Sequence, residues 1–288
     1  MTFAIRQINL QFSGAESGNV ILEGLRCQAI IENTGGDNSI GKLQLRVYGM
    51  TLDQMNAYSS PGANLVFASN FTITVVAGNI GNPLLQVFSG HIINSYIDFA
   101  NVPDVSFVCQ ATAAYLEKVT PVAPNSYPGS QNAEDIIASL VSSMGSPWKF
   151  QNINNAHAII SNQYLSGSII NQIQSVAKAA CFPMKIENDT VSIWPNGNNV
   201  EGVVIDVNAK TGLVGYPAYV PNGFSIKTEF SASIANGRKI NLDTVIPKAK
   251  GEWDAHVVTH ELSTLTPDGP WFTNCILNRG GGDYVARN

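Results

Sequence analysis

The chain has 288 residues, a net charge of −5 and only 13% Asp, Glu, Lys and Arg, against about 25% in an ordinary soluble domain. Surface charge keeps copies of a monomer apart, so a chain this short of it is expected to cover much of its surface with protein. The acidic balance, with no Lys/Arg cluster, argues against a grip on nucleic acid. Four separated cysteines, Cys27, Cys109, Cys181 and Cys275, without CxxC or zinc-finger spacing, argue against a disulfide framework or a structural zinc and point to buried free thiols.

The opening MTFAIRQINLQF lacks a signal-peptide layout, and no apolar run reaches the ~18 residues of a membrane span. A soluble chain without an export address is the expectation. From Phe3 to about Glu117 the text alternates with period two. Leu43, Leu45 and Val47 oppose Lys42, Gln44 and Arg46, and Phe71, Ile73 and Val75 oppose Thr72 and Thr74, as in half-buried antiparallel strands. Turn-rich breaks fall at 34–38, 60–62 and 78–83. So many short strands favour a barrel or sandwich, with one helical turn expected over Thr51–Ala57.

TPVAPNSYPG, Thr120–Gly129, carries three prolines. Each removes a backbone donor and fixes φ, so a linker is expected over 121–129 and the first sheet cannot pass through it. The period then changes. Asn132 is placed to cap a helix with Ile136, Ile137, Leu140, Val141 and Met144 on one face, Glu134 and Asp135 in its first turn, and Gly145 and Pro147 ending it. A second helix begins at Ser168 and buries Ile169, Ile170, Ile173, Ala177 and Ala180. Met184–Glu187 and Thr190–Trp194 then read as a strand pair folded at Asn188-Asp189. This small α+β unit spans 130–196, with Pro195–Asn199 as its second boundary.

From Thr211 to Trp271 the chain returns to short strands joined by Gly, Pro, Asn and Asp turns, the pattern of a small closed or half-closed sheet. HVVTHEL contains His256, His260 and Glu261, but HExxH zinc chemistry needs Glu directly after the first His, on a helix. On a strand four residues span ~13 Å, too far for two ligands of one zinc. His260 is therefore expected to be a hydrogen-bonded structural residue. The acid pairs Glu252/Asp254 and Glu134/Asp135 have the residue types of a glycosidase pair and equally those of solvated or helix-start carboxylates. No GxSxG, Walker loop or GxGxxG–helix unit occurs, and Gly280–Gly282 precedes no helix. Trp148, Trp194, Trp253 and Trp271 suit a core or interface better than a sugar platform.

Several stretches in order carry a family resemblance: VYGM at 47–50, FSGHIINSYIDF at 88–99, GSIINQIQSVAKAA at 167–180, SIWP at 192–195, GLVGYP at 212–217, NGRKI at 236–240, GEW at 251–253 and HELSTLTPDGPW at 260–271. Together the chain resembles the baseplate hub proteins of tailed bacteriophages. Gly49, Gly90, Gly212, Gly215, Pro217, Gly237, His260, Gly269, Pro270 and Trp271 are the positions that match the family's structural motifs.

The resemblance implies a mainly β fold in which two β-barrel-like hub domains, 1–120 and 197–288, flank the helix-plus-hairpin domain. It implies a non-enzymatic homotrimer in the virion tail baseplate, assembled in the bacterial host cytoplasm, without catalytic residues, cofactor, metal or membrane insertion of its own. The partners it implies are a tail tube or distal tail protein, the central spike protein and, as a further candidate, the tape measure protein, with DNA passing the lumen without specific binding. Set beside larger hub proteins, the expectation is a hub without a long carboxyl-terminal extension or an appended hydrolase. The alternative is a host cell-wall glycan-binding module or a tail-associated lytic module.

Overall fold

The computed structural model describes residues 5–16, 18–34, 40–60, 70–196 and 204–278. The turns expected near Gly35–Asn38 and Pro61-Gly62, the boundary residues Gly197–Asn199 and the Gly280–Gly282 run lie outside them.

The first region holds β1 (Arg6–Ser13), β2 (Val20–Leu22), β3 (Cys27–Thr34), β4 (Lys42–Tyr48), α1 (Leu52–Tyr58), β5 (Thr72–Asn79), β6 (Leu85–Asp98), β7 (Ser106–Thr112) and α2 (Tyr115–Val119). The alternation read from sequence is real: Leu43, Leu45 and Val47, then Ile73 and Val75, point into a core with Phe12, Tyr58 and Phe107, while Lys42 and Gln44 face outward. The helical turn α1 begins at a capping box, in which Thr51 accepts from the Gln54 amide and the Gln54 side chain accepts from the Thr51 amide. Two of the orphan donors at a helix start are satisfied this way.

The middle region holds β8 (Asn125–Asn132), α3 (Ala133–Met144), β9 (Lys149–Asn152), β10 (Ile159–Leu165), α4 (Ile169–Ala179), β11 (Met184–Glu187) and β12 (Thr190–Ile193). Ile136, Ile137, Leu140 and Val141 of α3 and Ile169, Ile170, Ile173 and Ala177 of α4 are buried in a second core, as the 3.6-residue period predicts. Asn188 and Asp189 have φ of 49° and 56°, which closes β11 on β12 as expected. The proline-rich segment is less slack than a linker. From Asn125 it forms β8, which pairs with β10 in a separate two-stranded sheet, because its prolines block the larger sheet but leave one edge able to pair.

The last region holds β13 (Val204–Val207), β14 (Ala218–Val220), β15 (Gly223–Glu229), β16 (Lys239–Leu242), β17 (Gly251–Thr264) and β18 (Trp271–Asn278). Phe224, Ile226, Ile240, Trp253, Val258 and Leu277 form its core.

The two barrel-like regions expected from the sequence are joined through one sheet. Among the described residues the outer regions share one 13-stranded sheet, ordered β14-β15-β18-β17-β3-β4-β7-β6-β5-β1-β2, with β16 and β13 branching from β17. No closed hydrogen-bonded barrel is present among them. The join is β3 against β17, antiparallel from Cys27↔Thr264 to Thr34↔Val257. Periodicity identifies each strand's buried face but not its neighbour. The long β17 also serves two cores: Trp253, Ala255 and Val258 enter the last one, while Leu262, with Trp271 of β18, enters the first. The first half curls back on this strand without a ladder, since Arg6 at the start of β1 donates to the Gly269 carbonyl at 2.9 Å and lies over the Trp271 ring.

Candidate functional site

The motif positions do not converge on a cleft. Gly49 turns the chain after β4 with φ +88°, and Gly90 sits mid-strand where a Cβ would lie 2.7 Å from the Thr112 carbonyl oxygen. Gly212 and Gly215 take positive φ ahead of β14, with Pro217 buried between them and that strand. The amide of Gly237 donates to the Ala255 carbonyl. His260, Gly269, Pro270 and Trp271 do gather, at the β17–β18 turn. Ser263 Oγ donates to the Pro270 carbonyl at 2.8 Å, and a Cβ on Gly269 would fall 2.1 Å from that hydroxyl. His260 Nδ1 lies 2.9 Å from Thr273 Oγ1, and the ring packs edge-on to Phe230. Burial pushes its imidazole down to about 4, so it is neutral at ordinary pH, buried and hydrogen-bonded.

The groups considered for chemistry are dispersed in the same way. Among the described residues no three His, Cys, Asp or Glu side chains could hold a metal. Glu252 pairs with Lys239, Glu134 with His157, and Asp135 accepts from Asn132. Trp194, Trp253 and Trp271 are buried, and the Trp148 indole N–H donates to Glu117 Oε1 at 3.0 Å. Three thiols are buried as expected. Cys181 is exposed, because it occupies a left-handed position (φ 55°) just past α4, which turns its side chain outward.

What the fold does present is surface. Among the described residues the free edges of the long sheet are short strands, β2 with exposed Ile21, β14 with exposed Tyr219 and, on the branch, the four-residue β13. Short edges are how sheets limit uncontrolled pairing. Register brings the ends of β4, β6 and β17 and the starts of β3, β7 and β18 to one end of the sheet. From there Leu52, Phe99, Val102 and Leu265, each more than half exposed, project on α1 and two hairpin turns. The α+β region follows β7 at the opposite end. Between the ends, the outer face carries Gln28, Gln44 and Gln110 in exposed positions with Asn94 beside them. Among these amides the face also carries Lys42, Arg46 and Glu32, with Ile30 and Tyr96 exposed beside them. Sequence patterning had marked Gln44 among them as outward-facing.

Comparison with known proteins agrees with this arrangement. The chain has the fold of a tail protein from Neisseria meningitidis MC58 (TM-score 0.67, 7% identity, covering 95% of this chain and 96% of that one). It also shares the fold of the 43 kDa tail protein of prophage MuSo2 from Shewanella oneidensis (TM-score 0.62, 8% identity, 95% and 98% covered). A chain of a PdpA–VgrG complex matches less closely, at TM-score 0.50 and 9% identity, with 95% of this chain and 65% of that one covered. No curated protein sequence matches. The sequence profile of the family described as "Baseplate hub gp41" matches residues 31–265, most of the sheet and the whole α+β region, and the chain therefore belongs to the baseplate hub gp41 family of phage tail proteins.

Proposed function

We propose that this baseplate hub protein is a non-enzymatic structural ring component: three copies, each contributing two β bodies near 1–120 and 197–288, surround a lumen through which DNA leaves. A ring of six similar bodies would let a three-fold spike meet a six-fold tail tube. The observation that carries the reading is the β3–β17 join, which fuses two sheet halves with separate cores into one continuous unit. Two bodies held at a fixed relative setting are what alternation around a ring requires.

Other features fit the same arrangement. The half-closed curl of β1 onto β17–β18 gives the first body a barrel-like form without a complete ladder. The exposed apolar side chains at one end of the sheet suit an axial neighbour. The net charge of −5 suits a DNA passage, because dense cationic contacts would retain phosphate. A central spike protein as the axial neighbour is part of the same proposal. Boundaries ahead of β8 and near 196 leave the α+β unit as a distinct module.

Mass photometry of the purified 30.8 kDa chain, with cryo-electron microscopy of purified tails, tests the proposal. The expected result is a species of three times the chain mass and three-fold hub density at the end of the tail tube. A stable isolated monomer absent from the baseplate overturns it.

A further inference from the structure

Beside α2 the α+β region borders a cavity of about 460 Å³, within the range of ligand sites, roughly 300–1,000 Å³. Leu116 of α2, Val122 ahead of β8, Met144 at the end of α3 and Ile169 at the start of α4 give it an apolar wall. Among the described residues Glu117 is the charged group in that lining. Its Oε1 accepts the Trp148 indole N–H at 3.0 Å, while its Oε2 is buried and has no hydrogen-bond partner among the described residues. A buried carboxylate oxygen without a partner is costly and uncommon.

The rest of the wall leans towards acceptors as well. Gln172, fully buried in α4, donates its Nε2 to the Ala123 carbonyl at 3.2 Å, so its Oε1 is the end left to accept, and it takes Asn125 Nδ2 at 2.8 Å. This relay fixes the Asn125 amide and leaves its Oδ1, an acceptor, unused by Gln172. Ser143 and Met144 bring the C-terminal end of α3 to the cavity, and the last turn of that helix has no basic residue. Such an end carries partial negative charge and favours cations. The start of α4 would favour the opposite sign, but Ser168 caps it, accepting from the Asn171 amide at 3.3 Å. The Ser143 hydroxyl donates to the Leu140 carbonyl at 2.6 Å, and the Thr120 hydroxyl can act either way. Lys118, next to Glu117 in the chain, is exposed and does not line the cavity.

We propose that this cavity binds an alkylammonium group, a cationic amine on an aliphatic stem, whether carried by a free linear amine or by a lysine of a neighbouring protein. The stem lies along Leu116, Val122, Met144 and Ile169, as lysine stems do on apolar surface. The head supplies the donor that the Glu117 carboxylate lacks, with Asn125 Oδ1 and the end of α3 as further acceptors. A neutral alcohol of the same length covers the same apolar wall without the charge. The site belongs to one chain and is independent of subunit number and lumen, so its failure leaves the hub reading untouched.

The test is an NMR titration of the full chain with methyl-labelled methionine, read on the Met144 methyl. The amine n-pentylammonium is expected to shift that signal saturably, and pentan-1-ol to bind at least about tenfold more weakly, the share of one charge-assisted hydrogen bond. Glu117→Gln keeps an acceptor for Trp148 and removes the charge, and is expected to bring the amine down to the affinity of the alcohol. Ala123→Phe, at an exposed position of the wall, is expected to block both ligands and leave the unfolding midpoint unchanged. Nα-acetyl-lysine methylamide separates the two sources: binding at least as tight as that of n-pentylammonium assigns the site to a partner's lysine, and binding of the free amine alone assigns it to a small amine. No saturable shift at Met144, equal affinity for amine and alcohol, or an amine affinity unchanged by Glu117→Gln or by Ala123→Phe overturns the proposal.

Discussion

Gly90 and His260 show how much a single position in this chain depends on its neighbour across the sheet. Gly90 has no sequence-local reason to be glycine. Its reason is the Thr112 carbonyl, which would lie 2.7 Å from any Cβ added there. Gly90→Ala is expected to cost about 1–3 kcal/mol through strain in a packed core, read as a lower midpoint in urea unfolding. His260 titrates differently in the two states. Its folded value, about 4, lies below the unfolded one near 6.5, so the unfolded chain binds the extra proton. The stabilising contribution is complete above the unfolded value and is lost as pH falls from there towards the folded value. That amounts to about 3 kcal/mol at most, and His260→Gln is expected to flatten this part of the pH–stability curve. That His260 lies on a strand was legible in the sequence from its alternation; the close approach at Gly90 was not, because it is set by a residue on another strand.

At the scale of elements, α3 and α4 were read well because each carries a periodic apolar face and a stop, whereas α2, which starts at a left-handed Ala114 without a side-chain cap, fell inside the stretch read as alternating strand. The end of α4 is a second exception. The amide of Phe182 donates to the Ala177 carbonyl at 2.8 Å and the amide of Cys181 to that of Lys178 at 3.1 Å, a Schellman ending whose left-handed residue is usually glycine. With Cys181 there, nothing in the sequence marks the motif, and the thiol was expected to be buried. Cys181→Gly is expected to stabilise the chain by about 1 kcal/mol by relieving the left-handed backbone of a residue with a Cβ, measured by thermal unfolding. In the native wild type a thiol reagent is expected to label Cys181 rapidly and leave Cys27, Cys109 and Cys275 unreacted. Burial also pushes the thiols of Cys27, Cys109 and Cys275 up, disfavouring the reactive thiolate. The β8 strand was missed for a related reason: three prolines signal a break in one sheet, and the small second sheet they permit depends on β10, nearly thirty residues later.

For the whole molecule, the class and the three hydrophobic cores were visible in the pattern of periods, while the union of the first and last regions was not. Local sequence fixes which face of a strand is buried, and the β3–β17 pairing is a contact between residues more than two hundred positions apart. This pairing predicts joint behaviour. Ile31, fully buried and paired with His260, touches the shared strand, and Ile31→Ala is expected to cost about 2–5 kcal/mol. Its effect should appear as lost exchange protection in both halves of the sheet together, including β15 and β18. Protection lost in the first half alone would mean that the two halves open separately.

The length of β17 has a mechanical consequence. Its fourteen residues run from the core of one half into that of the other, and it is laddered to β18 and β3, with β16 alongside its first residues. A pull along its axis loads those rows of hydrogen bonds in shear, so many must yield at once, whereas a peeling force at β2 or β14 meets them one by one. Axial tension is the direction in which this protein is toughest.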